Sequence, residues 1–294
     1  MLNARPPEPG RDARAVGPAI RAMLPSLSEL ESRLVEHMLA DRGFSERTAL
    51  RQVAQLIGVS DAMVVKLAKK LGYAGFRDMR RGIVAYNRLP TAELHQQLDP
   101  EDDAPTSVGK VFRTAIQALE ETLAILDMRA FARAAEALGN ARQRDFYGVG
   151  GSAQIARDVA HKFLRIGVRA SVFDDAHMML MSAALLGPGD VAVGFSHSGE
   201  THAVIDPVAL AGARGATTIV ITNHALSRLA QQADIVLAST AQGSPLTSEN
   251  AAARIAQLNI LDALFVAVAQ QDIGRTEANL ARTMEAVDPK RRRA

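Results

Sequence analysis

One stretch in the second half of the chain constrains the fold more than any other. In 190–201, an uninterrupted run of apolar and small residues, Val191–Phe195, leads into a hydroxyl-rich turn, and an apolar segment with helical spacing begins near Thr201. This order predicts a buried strand, a turn and a helix. In a parallel sheet such a turn lies at the carboxyl edge of the strands, where open α/β sheets bind ligands.

The same turn carries groups that suit an anion. Ser196, Ser198 and Thr201 offer hydroxyls that donate and accept hydrogen bonds. The first amide groups of the helix add a partial positive charge. Taken alone, the turn has two interpretations of equal weight: its hydroxyls bind a ligand, or Ser198 or Thr201 only caps the helix.

A second turn of this kind lies upstream. A short strand over 145–149 is followed by Gly150-Gly151-Ser152 and a helix over about 152–166. Glycine lets the backbone approach a ligand closely. The segment lacks the full spacing of a dinucleotide-binding fingerprint, and no acidic residue is clearly placed for a ribose. Two such turns at one sheet edge predict a site for a small phosphorylated, hydroxyl-bearing ligand.

The surrounding sequence alternates strand-like and helix-like segments. Little polar interruption within the strands predicts a parallel sheet covered on both faces. The candidate strands are 145–149, 169–173, 190–195, 217–222 and 235–238, and the candidate helices lie near 152–166, 176–186, 201–214, 226–232 and 249–270.

The N-terminal part has a helical period. Three apolar-periodic segments begin near Leu27, Thr48 and Ser60, and the last two are joined by a tight turn at Gly58. This pattern is typical of a helix-turn-helix, although helical hairpins in bundles look similar. Residues 1–90 hold 15 Lys and Arg against 9 Asp and Glu, whereas residues 91–294 hold 19 against 23. The basic end therefore suits a polyanionic partner such as DNA.

Composition excludes several classes of protein. The chain has no Cys, so it has neither disulfides nor a thiolate zinc site, and a reducing compartment is expected. Its seven His show no metal-ligand spacing on one helix face, which predicts no metal site. There is no run of 18 apolar residues and no signal-peptide core, so we expect a cytoplasmic protein.

Both halves resemble a known bacterial family. Residues 26–86, including Leu71–Met79 just after the third helix, are similar to the helix-turn-helix domain of RpiR-type transcription regulators. Gly148–Ser152 together with Ser196–Thr201 resemble the sugar isomerase (SIS) domain, which binds phosphosugars. The resemblance implies a multidomain protein: an all-α helix-turn-helix domain followed by an α/β, three-layer (αβα) SIS domain with a five-stranded parallel sheet.

The resemblance also implies which residues reach DNA, because in the family the start of the recognition helix enters the major groove. Related regulators often have Thr-Val-Val-Arg where this chain has Met63-Val64-Val65-Lys66, and lysine lacks the planar fork suited to bidentate guanine contacts. The predicted DNA-binding residues are Ser60, Asp61, Ala62, Val64, Val65, Lys66, Lys69, Lys70 and Arg77.

Sugar-phosphate isomerisation requires a general base, for which His177 and Glu249 are candidates. His177 resembles a histidine position of SIS-type isomerases, and Asp174 and Asp175 could orient its ring. Alternatively, His177 only binds the ligand or caps a helix, and we favour this because its surroundings do not reproduce the isomerase pattern. The predicted effector-binding residues are Gly150, Gly151, Ser152, His177, Ser196, His197, Ser198, Thr201 and Glu249.

The leading hypothesis is a DNA-binding regulator without catalytic residues, metal or cofactor, whose SIS domain senses a sugar phosphate. It would act as a homodimer or homotetramer. Two alternatives are an isomerase with an appended helix-turn-helix and a generic nucleotide-binding module. The predicted organisation is a flexible arm (1–22), a helix-turn-helix domain (23–88), a linker (89–107), an SIS domain (108–272) and a C-terminal segment with a basic tail (273–294).

Overall fold

A computed structural model describes residues 12–41, 43–89, 98–241 and 251–291. The chain forms two compact units, Met1–Ile125 with Thr240–Ala252, and Leu126–Ser239 with Ala253–Ala294. The first is helical, and the second is built on a sheet. The multidomain organisation and fold class predicted from the sequence are therefore confirmed.

The helical unit contains six α-helices within the described residues. They are α1 (Ala13–Met23), α2 (Glu29–Ala40), α3 (Leu50–Ile57), α4 (Asp61–Lys70), α5 (Phe76–Asn87) and α6 (Ala104–Ile125). The core is formed by residues that recur at helical spacing, among them Ile20, Leu34, Met38, Leu67, Met79 and Ile83. Ser28 and Glu31 form a capping box at the start of α2.

The prediction of a flexible arm over residues 1–22 is wrong for its second half. Asp12 caps α1 by accepting a hydrogen bond from the amide of Arg14, and Val16 and Ile20 are buried in the helical core. These two side chains lie four residues apart, on one face of the helix. Residues 1–11 lie outside the described part of the chain.

Helix α6 also differs from its prediction. It begins at Ala104, inside the predicted linker (89–107), and it continues through the first residues of the predicted SIS domain (108–272), but the structure groups it with the helical unit. A buried polar contact ties α6 to the helical unit: Glu121 of α6 accepts hydrogen bonds from Tyr86 and from Arg21. Residues 90–97 of the predicted linker lie outside the described residues.

The second unit has the predicted three-layer αβα architecture. Its strands are β1 (Arg144–Gly148), β2 (Ser171–Phe173), β3 (Val191–Phe195), β4 (Thr217–Thr222) and β5 (Ile235–Ala238), all parallel, in the order β2-β1-β3-β4-β5. Its helices are α7 (Met128–Asn140), α8 (Gly151–Arg165), α9 (Ala176–Leu185), α10 (His202–Ala213), α11 (Ala251–Gln270) and α12 (Ile273–Arg291).

Two apolar cores cover the two faces of this sheet. Phe146, Val193 and Ile219 point to one face, where α8 and α11 pack. Tyr147 and Val220 point to the other, where α9 and α10 pack. By length and composition alone α11 could cross a membrane, but its buried Ile260 and Leu264 belong to the sheet core.

The structure refines two predictions for the last quarter of the chain. The helix predicted over 226–232 is a single 3₁₀ turn, Ala230–Gln232, because the preceding residues form a loop that hydrogen-bonds to the turn after β3. Within the segment predicted from 273 onwards, residues 273–291 form α12, where Asn279 donates a hydrogen bond to the carbonyl of Ile166.

Candidate functional site

The two Gly/Ser turns lie side by side at the carboxyl edge of the sheet. β1 and β3 are neighbouring parallel strands, and Gly148 at the end of β1 lies in register with Phe195 at the end of β3. The chain leaves β1 towards β2 on one side and reaches β3 on the other, so the strand order reverses between these two strands. This switch point is where doubly wound sheets bind ligands.

The first corner, Gly148–Ser152, depends on two glycines. A Cβ on Gly148 would lie 3.0 Å from the backbone of Ser152, so glycine allows the first turn of α8 to approach the strand closely. Gly150 has φ +58° and ψ −124°, a conformation that L-residues with a side chain rarely adopt. The first amides of α8 therefore lie directly beyond the end of β1.

The second corner, Ser196–Thr201, is held by hydroxyl groups. Ser196 is 3% exposed, and its Oγ accepts a hydrogen bond from the amide of Gly199 and lies 3.1 Å from Thr201 Oγ1. Ser198 Oγ accepts from the amide of Glu200. Thr201 is the N-cap residue of α10, but its hydroxyl contacts Ser196 rather than capping the helix. The interpretation of Thr201 as a simple cap therefore does not hold.

The loop after β4 belongs to the same corner and was missed by the sequence analysis. The carbonyl of His197 accepts hydrogen bonds from the amide of Asn223 and the hydroxyl of Thr222, and the carbonyl of Gly199 accepts from the amide of Leu229. Thr222-Asn223-His224 is a polar triplet at the end of a buried strand, which is the signal that identified the other corners.

Two histidine rings meet at this edge. The rings of His197 and His224 lie edge to face with centroids 6.2 Å apart. Burial lowers the pKa of His224, so its ring is neutral near pH 7. A neutral imidazole can donate one hydrogen bond and accept another.

Of the two remaining predicted effector residues, the structure describes His177 but not Glu249. His177 is exposed in the first turn of α9, which follows β2 at the same sheet edge. The neighbouring carboxylates have other contacts, because Asp174 pairs with Arg157 and Asp175 caps α9 by accepting from the amide of Met178. Glu249 lies outside the described residues.

The helix-turn-helix has the expected local geometry. Gly58 caps the C-terminal end of α3, and its φ of +77° is the left-handed conformation that favours glycine. Ser60 caps α4, with its Oγ accepting from the amide of Met63 at 3.2 Å. Asp61, Ala62, Lys66 and Lys69 of α4 are exposed, as is Arg77 on α5, and Val65 is partly exposed.

The structure contradicts one of the predicted DNA contacts and gives another a partner within the helical unit. Val64 is 0% exposed and belongs to the helical core, so its side chain does not reach a base edge. Its spacing from Leu67 and Leu71, three and seven residues on, already marks it as a core position. Lys70 donates a 2.9 Å hydrogen bond to Glu31 of α2, so its ammonium group already has a partner within the unit.

Within the part of the chain that the structure describes, no group of three His, Cys, Asp or Glu side chains is arranged to hold a metal ion.

Comparison with known proteins identifies both units. Residues 15–86 match the helix-turn-helix domain of the rpiR family, and residues 137–267 match the SIS domain. The HTH-type transcriptional regulator RpiR of Escherichia coli K12 is 41% identical over 273 residues, which cover 93% of this chain and 92% of that protein.

Two solved structures have a similar fold. NanR of Vibrio vulnificus, complexed with ManNAc-6P, aligns with a TM-score of 0.59 at 24% identity and covers 92% of this chain and 97% of its own. The sugar isomerase domain of an RpiR transcription factor from Sphaerobacter thermophilus aligns with a TM-score of 0.55 at 25% identity, covering 63% and 99%. On the sequence identity and the two matched domains, the chain belongs to the RpiR family of helix-turn-helix transcriptional regulators.

Proposed function

We propose that this regulator senses a phosphorylated sugar at the two corners of its SIS domain and changes its affinity for operator DNA in response. The observation that carries the proposal is the adjacency of Gly148–Ser152 and Ser196–Thr201 at the switch point of the sheet. Two helix N-termini and a group of hydroxyls meet there, which suits a phosphate group. NanR, a protein of the same fold, binds ManNAc-6P, a phosphorylated sugar.

In this proposal, different groups contact the phosphate and the sugar of the ligand. The amides at the start of α8 and α10, with the hydroxyls of Ser152, Ser196, Ser198 and Thr201, hold the phosphate. The rings of His177 and His197 and the carboxylate of Glu249 contact the sugar hydroxyls. The hydroxyls and backbone amides can satisfy the phosphate oxygens with hydrogen bonds.

The DNA side of the proposal uses the exposed face of α4. Ser60, Asp61, Ala62 and Val65 face the bases, and the cationic Lys66, Lys69 and Arg77 contact phosphates. Two such helices in a homodimer or homotetramer would read the two halves of a two-fold operator. Effector binding changes the relative placement of these helices, with a coupling free energy of about 1–3 kcal/mol. A protein with this role works in the cytoplasm, where operator and sugar phosphates meet.

Removal of the corner hydroxyls tests the proposal. A thermal-shift screen of phosphorylated sugars, each paired with its unphosphorylated form, first identifies the ligand. The Ser196→Ala/Ser198→Ala variant should then lose the effector response in a gel-shift titration on the DNA flanking its own gene, and its affinity for that DNA should stay within about twofold. Ser171→Ala is the matched control, because it removes a hydroxyl of the same unit from β2.

An effector response that survives in the double variant would refute the assignment of the corners.

We further propose that the protein is not an enzyme. Purified protein incubated with pentose, hexose and amino-sugar phosphates should show no aldose–ketose conversion. Turnover that His177→Ala abolishes would instead identify an isomerase.

A further inference from the structure

Helix α6 presents two contrasting faces, and a buried network fixes which face points outwards. On the inner face, the carboxylate of Glu121 accepts hydrogen bonds from Tyr86 at 2.7 Å and Gln117 at 2.9 Å, and it pairs with the guanidinium of Arg21. Burial works to lower the pKa of Arg21, but Glu121 and Tyr86 together outweigh it and the pKa is raised. The guanidinium of Arg21 therefore stays charged, and its contact with Glu121 places this side of α6 against the helical core.

The outer face of α6 is apolar. Phe112 is 67% exposed and Leu123 is 58% exposed, and Val108, Val111 and Ile116 are each more than 40% exposed. These side chains lie on a single helix with the partly exposed Leu119 between them. A contiguous exposed apolar stripe of this kind is typical of a site of protein association.

The spacing of the stripe is that of a helix-pairing seam. Phe112, Ile116, Leu119 and Leu123, called here the α6 seam, are separated by four, three and four residues. Alternating separations of three and four keep apolar residues on the line where two helices meet. The order four, three, four is the same in both directions along the helix. An antiparallel copy of the α6 seam therefore presents its four side chains at matching levels along the helix axis.

We propose that the α6 seam is a homodimer interface, in which it pairs antiparallel with the α6 seam of a second copy about a two-fold axis. The axis crosses the seam between Ile116 and Leu119, at the level of Gln117 and Ala118 along the helix. Phe112 then packs against Leu123 of the partner subunit, and Ile116 packs against Leu119 of the partner subunit. An isologous contact of this kind closes on itself and produces a dimer rather than a chain of subunits.

Charge selects the antiparallel orientation. Arg113 and Glu120 flank the same side of the seam, one residue after Phe112 and Leu119. In an antiparallel pair, each of these charges lies alongside the opposite charge of the second copy. In a parallel pair, Arg113 and Glu120 would lie opposite the uncharged positions Val108 and Ala115, so only the antiparallel pair has complementary charges.

The inference deepens the proposed function, because it assigns a surface to the dimer that reads a two-fold operator. Since the chain has no cysteine, it is suited to disulfide mapping. We would prepare Phe112→Cys and Leu123→Cys singly, each with a different tag, and co-express them. Oxidation should link the co-expressed pair and leave each single variant unlinked. In a single variant the two cysteines of an antiparallel pair lie about 16 Å apart along the helix axis, beyond the Cα separation of about 7 Å that a disulfide tolerates.

The outcomes separate the alternatives. Linkage of Phe112→Cys on its own would overturn the antiparallel orientation. A wild-type dimer in which no variant links would overturn the surface, and so would a monomeric wild-type protein. If another protein occupied this seam and joined the two subunits, the cysteines would also stay unlinked, and this result would overturn the surface in the same way.

A charge on the seam provides an independent measurement. Ile116→Glu should weaken dimerisation at least 100-fold by analytical ultracentrifugation while circular dichroism stays unchanged. Leu164→Glu is the matched control, because Leu164 of α8 is exposed to a similar degree, 53% against 47% for Ile116. An undiminished dimer of Ile116→Glu would overturn the inference. A missing thermal shift with sugar phosphates in a correctly linked dimer would overturn the proposed function alone.

Discussion

In the proposed function, the sensor corners and the recognition helix each bind a phosphate-bearing partner, and they do so in opposite ways. At the corners the binding groups are neutral and fixed: Ser196 is buried, and Gly199 is held by hydrogen bonds at both its amide and its carbonyl. On α4 the binding groups are charged and exposed, with Lys66 and Lys69 extending from the helix into solvent.

This contrast determines how each site should respond to change. A site made of backbone amides and buried hydroxyls is preorganised, so a small displacement of the backbone removes most of its affinity. A site made of solvated lysines gains its affinity from counter-ion release. Its affinity therefore falls gradually as lysines are removed, and it depends on the salt concentration. Backbone substitutions should therefore affect the first site, and charge substitutions the second.

Gly199→Ala should have the largest effect. Gly199 has φ +68°, and a Cβ there would overlap the side chain of Ser227 and lie 3.1 Å from Thr222 Oγ1. The corner must shift to accept the methyl group. We expect effector affinity, measured by isothermal titration calorimetry, to fall at least 100-fold, which corresponds to about 2.7 kcal/mol.

The matched control for this variant is Gly187→Ala. Gly187 lies before β3 in the same unit, and the nearest atom to its added Cβ would be the carbonyl oxygen of Arg214, at 4.0 Å. Its effector affinity should match that of the wild type. Normal affinity in Gly199→Ala would show that the corner is adaptable rather than preorganised, and the contrast between the two sites would disappear.

Lys66→Ala/Lys69→Ala should have an intermediate effect confined to DNA. Loss of two phosphate contacts should reduce the slope of log affinity against log salt by about 1.8, measured by fluorescence anisotropy at several salt concentrations. Val64→Ala is the comparison within the same helix. Because Val64 is buried, this change should keep the salt slope and lower the free energy of unfolding by about 2 kcal/mol. An unaltered slope in the lysine variant would remove α4 from the interface.

The sequence analysis recovered most elements that local patterns determine. All five strands were predicted to within two residues at each end, because each is a short apolar run bounded by turn residues. The adjacency of the corners followed from the rule that carboxyl ends of parallel strands share one edge. The order β2-β1-β3, which places the corners at a switch point, depends on contacts between segments far apart in the chain.

The errors share a physical cause. Residues 12–22 were assigned to an arm on account of prolines and glycines in and before this segment, and α1 is stabilised by burial of Val16 and Ile20 against distant helices. Helix α6 was assigned to the wrong unit because its partner Arg21 lies 100 residues away. Tertiary contacts of this range leave no periodic signal in the local sequence. The loop after β4 did leave such a signal, in Thr222-Asn223-His224, and comparing all strand ends would have found it.

The smallest expected effect separates a lysine that supports the fold from those proposed to bind DNA. The hydrogen bond from Lys70 holds the pKa of Glu31 below its usual range, with a further contribution from the backbone amide of Ser28. Because the folded pKa is lowered, the stabilisation is present above the unfolded pKa of about 4.3 and is lost as pH falls through the folded value. Glu31→Gln should therefore cost about 0.5 kcal/mol near pH 7, since an ion pair whose lysine is partly open to solvent contributes little, and the cost should shrink as pH falls through the folded pKa. Hydrogen exchange of α2 amides measures this difference, with the exposed Glu36→Gln as control. In the same DNA assay, Lys70→Ala should leave the salt slope unchanged, and a slope reduced as far as in a Lys66→Ala variant would return Lys70 to the DNA interface.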